Sequence, residues 1–161
     1  MRSPKNTATA LESLHVPVQA KLAAAWTSFM FLYAYVDIIG FYKPGTIDDI
    51  LAGVVFVFDI TQVWAVTVLA LMAVPILMVV LSAVLPARAN RITNLVVASV
   101  QVPYATFNVV GGSWTYYYGL GVVLELIVLA VILRLAWTWP RTASPSTTAT
   151  TADPVPVTVA N

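Results

Sequence analysis

The chain has no cysteine. Disulfides, thiolate metal sites and cysteine nucleophiles are excluded at once, although the absence says nothing about compartment. Charge is almost as scarce. Lys, Arg, Asp and Glu together make up 9% of the 161 residues, against about 25% in ordinary globular chains. A formal net charge of +1 gives no basic field for nucleic acid. The single histidine, His15, stands in a polar leader with no partner set around it. There is no phosphate-cradling glycine loop, zinc-ligand spacing, nucleophile elbow or dinucleotide fingerprint. No cofactor is implied, and with no nucleophile–base set in view catalysis is not expected.

What is present is apolar sequence, 60% of the chain. Residues 22–36, 60–87, 92–124 and 126–133 carry no charge, and about 20 mostly apolar residues suffice to cross a bilayer as a helix. A barrel would need alternating polar and apolar residues instead. The fold class expected is all-α, a transmembrane four-helix bundle with spans at about 22–42, 63–85, 92–111 and 116–138. The breaks have chemical causes. "KPGTIDD" holds the turn pair Pro44-Gly45, with Thr46 as an N-cap candidate; "LPARANRIT" holds Pro86 and two arginines; "GGSWT" holds two glycines. Segment 46–62, apolar in the middle and acidic at both ends, reads as a short interfacial or re-entrant helix leading into span two. A longer, tilted span two and a β-hairpin built on "VVFVF" are the competing readings. Residues 1–21 form a polar N-terminal segment, and the Ser/Thr/Pro-rich tail 142–161 is expected to be disordered.

Lys and Arg placement sets the orientation. Arg2, Lys5, Lys21, Arg88, Arg91, Arg134 and Arg141 fall on one side of this arrangement and only Lys43 on the other. The expectation is a multi-pass protein of the plasma membrane with both termini cytoplasmic. Trp26, Trp137 and Trp139 then fit an inner aromatic belt, and Trp64, Trp114 and Tyr116 to Tyr118 an outer one.

Against this background the acids need explaining. Asp37 stands five residues before Tyr42, roughly 7–8 Å inside the outer end of span one, and Glu125 nine residues after Tyr116, roughly 13–14 Å in from the same side. Intramembrane acids usually face the bundle interior or a wet cavity. Tyr33 shares a helix face with Asp37, and Gly121 one with Glu125, where it would let another helix approach closely. Gln101, Tyr104 and Asn108 form a polar stripe on span three beside Pro103, and Asp59 and Gln62 lie at the outer start of span two. Together these residues could build an outward-opening acidic and polar pocket. The structural alternatives are that Asp37 snorkels to water, that Glu125 serves as a neutral hydrogen-bonding strut, and that the Gln/Asn stripe is packing glue.

The span count, "YAYVDIIGFYKPG", "ANRITNLVVA" and "WTYYY" resemble a family of small, uncharacterised four-helix membrane proteins of bacteria, over about residues 15–140. That family carries a Tyr-x-Asp then Pro-Gly signature, matched here by Tyr35, Asp37, Pro44 and Gly45. More distantly the chain is similar to the DoxX-like group, some members of which work with quinone-linked respiratory enzymes. Two functions are therefore carried forward. One is a small transport or ligand-binding bundle using the acidic pocket; the other, implied by the distant likeness, is an accessory subunit of a membrane redox complex. The partner implied by composition is the lipid bilayer. Ala and Gly in spans one and four leave room for a homo-oligomer or a membrane-complex partner.

Overall fold

A computed structural model describes residues 16–107 and 113–139. Its elements, in chain order, are α1 (Val18–Gly40), α2 (Thr46–Leu51), β1 (Val54–Val55), β2 (Phe58–Asp59), α3 (Gln62–Val84), α4 (Ala87–Phe107) and α5 (Thr115–Trp137). Three of the helices, α1, α3 and α5, are long and apolar enough to cross a membrane. At 23 residues each they run about 34 Å, slightly more than the roughly 30 Å hydrocarbon layer. Helix α4 is of similar length, 21 residues, but is amphipathic, with arginines in its first turns and Asn90, Asn94 and Gln101 along one stripe.

The helix starts follow local chemistry. Helix α1 begins at Val18, after Pro17 at φ −62°, and so takes in residues 18–21 that the apolar run alone leaves out. Proline is preorganised at a helix start, and Lys21 extends its stem without breaking the helix. Thr61 caps α3, its hydroxyl accepting from the Trp64 amide at 3.1 Å. Leu85, held extended before Pro86, ends α3. Helix α4 then starts at Ala87, five residues before the expected 92, because arginine is a good helix former and does not delay the start. Pro75 lies inside α3 and Pro103 inside α4, and both helices run through them.

Between α1 and α3 the favoured short helix and the competing β-hairpin each hold in part, whereas a span two beginning near residue 50 does not, since α3 starts at Gln62. A helix of 6 residues is followed by a two-stranded antiparallel hairpin pairing Val54 with Asp59 and Val55 with Phe58. Gly45, not Thr46, occupies the cap position of α2, at φ +87°, a conformation that glycine adopts without strain.

Helix α1 packs extensively against both α3 and α5, and α4 packs mainly along α5 while also reaching α1 through Trp26–Asn94 and Tyr33–Tyr104. Although α3 and α4 are joined directly, they touch far less; the hydrogen bonds between them lie beside the joint. The common core is Leu22, Trp26 and Phe29 of α1, Met78 of α3, Ala98 and Ala105 of α4, and Leu129 and Ile132 of α5. The outward faces are apolar too: Val63, Val66, Leu69, Leu77 and Val80 of α3 are all exposed. Helices apolar on all sides belong in lipid, where an exposed valine has nothing to avoid.

Candidate functional site

Two groups of polar side chains are buried among these helices, at opposite ends. One, at the end expected to be inner, sits where α1 begins and α3 meets α4. The Trp26 indole N–H donates to Asn94 Oδ1 at 2.6 Å, and the Ser82 hydroxyl donates to the same oxygen at 3.2 Å. Asn94 Nδ2 donates to the Asn90 backbone carbonyl at 2.9 Å and to Asn90 Oδ1 at 2.6 Å. Asn90 Nδ2 donates to the Ser82 carbonyl at 2.6 Å. Trp26, Ser82, Asn90 and Asn94 are each 0% exposed. This closes a network across three helices, and a satisfied network rigidifies and specifies a core. It also corrects the assignment of Trp26 to an interfacial belt: its ring is core, edge-on to Phe29 with centroids 5.7 Å apart. Trp137 does stand exposed at this end, with the Arg91 guanidinium 6.0 Å over its ring.

The signal for this network lay in the sequence. Asn90, Asn94, Ala98, Gln101 and Ala105 are the buried stripe of α4, spaced by fours and threes. A span starting at residue 92 cuts Asn90 off from that stripe.

The outer group is built where α1 and α5 cross. A Cβ placed on Gly121 would stand 2.9 Å from Val36 Cγ2, and one on Gly40 3.3 Å from the Tyr118 hydroxyl. The helices approach this closely because both positions are glycine. Tyr117 Oη donates to the Val36 carbonyl at 2.7 Å. Tyr117 and Tyr118, half-buried, therefore brace α1, whereas Tyr116 is 97% exposed. Just inward of the crossing lies Glu125, 1% exposed, with Oε2 making no hydrogen bond. Asp37, exposed on α1, is near enough for its carboxylate to act electrostatically on Glu125. The observed helix ends shift their depths: Asp37 is three residues from the end of α1, about 4–5 Å, and Glu125 ten residues from the start of α5, about 15 Å. No basic side chain pairs with either acid among the described residues.

The remaining expected pocket residues lie elsewhere. Tyr33 lies between Phe29, tilted at 40° with centroids 6.2 Å apart, and Tyr104, stacked with centroids 6.4 Å apart. Gln101 is 7% exposed and, with Tyr104, lines a separate cavity between α3 and α4. Asp59 is exposed in β2 and Gln62 exposed at the start of α3. Asn108 lies outside the described residues, as do Arg2, Lys5, His15, Arg141 and the tail. Among the described residues no three His, Cys, Asp or Glu side chains gather in a metal-binding group.

No curated protein and no solved structure matches the chain, and no comparison links it to the DoxX-like group. Residues 13–146 do match one family model, covering all the described elements. The chain belongs to a family of unknown function (DUF6326).

Proposed function

We propose that this protein is a four-span integral protein of the plasma membrane, with both termini cytoplasmic, that binds a proton or small monovalent cation at Asp37 and Glu125 as a small transport or ligand-binding unit. The observation that carries this reading is the buried, unmet Oε2 of Glu125 beside a second carboxyl. A charge in that place without a partner costs several kcal/mol, and among the described residues no basic side chain supplies the counter-charge. A bound proton or cation would. Asp37, shallower and exposed, stands between Glu125 and the outer surface and provides a route for it.

The fourth span is α4. Its 21 residues reach about 31 Å, its arginines are confined to one end, and its Asn and Gln side chains are turned into the protein. With α4 counted, the inner end carries Lys21, Arg88, Arg91 and Arg134 and the outer end Lys43, as expected for cytoplasmic termini.

The test is thermal unfolding of the full chain in detergent, titrated with Na⁺, with K⁺ and with pH. The wild type should gain several degrees with one of these, and Asp37→Asn and Glu125→Gln should each remove the gain. A wild type indifferent to all three, or variants that respond as it does, would overturn the reading.

A further inference from the structure

The cavity between α3 and α4 is separate from the acid pair and has a different chemistry. Its volume is about 200 Å³, and its walls are Leu71 and Val74 of α3 and Val96 and Val100 of α4, with Gln101 and Tyr104 at one end. The four wall residues are also exposed on the outer surface, Leu71 at 48% and Val100 at 63%. The cavity therefore opens sideways, toward lipid rather than toward water. Gln101 differs from its surroundings: it is only 7% exposed, it lines the cavity, and its amide has no hydrogen-bond partner among the described residues. The other buried amides of α4, Asn90 and Asn94, are bonded several times over. An amide in an apolar wall without a partner is costly, so its presence here asks for a ligand that supplies one.

We propose that this cavity is a binding site for a slender lipid-soluble molecule that carries one hydroxyl or carbonyl group, entering from the bilayer between α3 and α4 and hydrogen-bonding Gln101. Size limits the class. Pockets for drug-sized ligands run about 300–1,000 Å³, so this space takes a single chain or small ring and not a bulky polycycle. Polarity limits it further, because one amide among β-branched and leucine side chains serves one polar atom and would leave a charged headgroup unpaired. An amide both donates and accepts, so hydroxyl and carbonyl are both accommodated. Tyr104, fixed by stacking on Tyr33, closes the end beside Gln101. The inference stands apart from the acid pair: Glu125 and Asp37 are not among the cavity's lining residues.

The experiment uses the full chain in lipid nanodiscs and two photoreactive probes of equal length, a medium-chain primary alcohol and the corresponding alkane, each with a diazirine in the chain. Labelled positions are mapped by mass spectrometry. The alcohol should label the α3–α4 walls about fivefold more than the alkane, the preference expected from one net hydrogen bond. Gln101→Leu should bring that ratio to one while labelling of the lipid-facing Ile127 and Val131 on α5 stays equal for both probes. Val74→Phe, at an exposed wall position that does not enter the core, should fill the space and remove wall labelling by both probes. Equal wall labelling of the wild type by alcohol and alkane would overturn the proposal, as would a Gln101→Leu variant that keeps the preference.

Discussion

The inner and outer ends of this helix assembly bury polar groups in opposite ways. At the inner end Trp26, Ser82, Asn90 and Asn94 are completely enclosed and bonded to one another, so that none of these four side chains is stranded, although Arg91 Nε beside them is buried without a partner. At the outer end Glu125 is equally enclosed, yet one of its oxygens has nothing to bond among the described residues, and Asp37, the ionisable group that acts on it, carries the same sign of charge. Both arrangements sit in helices surrounded by apolar side chains, where an unmet polar group has no water to turn to. The inner network holds helices together. The outer pair is left with unused bonding capacity, which is the property of a site that receives something. The difference lies in the partners each buried group finds, not in how deeply it is buried.

Three substitutions test this contrast. The largest effect is expected from Asn94→Leu, which strands the Trp26 indole N–H and the Ser82 hydroxyl and frees Asn90 Oδ1. A loss of about 3 kcal/mol in unfolding free energy should follow, at roughly 1–3 kcal/mol per stranded group. A variant as stable as the wild type would erase the distinction between the two ends. Next is Gly121→Ala, whose methyl meets Val36 Cγ2. Overpacking of this kind costs about 2 kcal/mol, and Val36→Ala in the same chain should restore most of it. A silent Gly121→Ala would mean that the α1–α5 crossing is looser than these contacts require. The smallest effect is expected from Glu125→Gln. Removing the charge from an enclosed group without a counter-ion should leave ion-free stability unchanged or raise it by about 1 kcal/mol. A loss as large as that of Asn94→Leu would show Glu125 to be part of the scaffold, like the inner network.

The legible part of the fold was the part that solvent transfer decides. Uncharged runs located α3 and α5 to within a residue or two, and Pro44-Gly45 and Pro86 marked where helices stop. Where charge sits on a helix end, the apolar run misleads: Lys21 and the Arg88/Arg91 pair lie inside α1 and α4, because helix formation is indifferent to charges that reach water. The candidate site was legible in part. That Asp37 and Glu125 lie toward the same end of the helices followed from counting residues to the span ends. That Gln101 and Tyr104 serve a different cavity did not, since a stripe on one helix does not say which neighbour it faces.

The sequence by itself determined that this protein is helical and suited to lipid, where its turns fall, and that its unpaired acids collect toward one end. Those properties depend on composition and local spacing, which the chain carries without reference to its partners. Only the tertiary structure decided that Trp26 is core and bonded to Asn94, that Tyr117 braces α1, and that Glu125 is enclosed without a partner while Gln101 opens onto a groove. Each of these depends on which helix lies against which. Here α1 closes onto α5 through two glycines and a valine, and α3 and α4, neighbours in sequence, touch far less than α1 touches either α3 or α5.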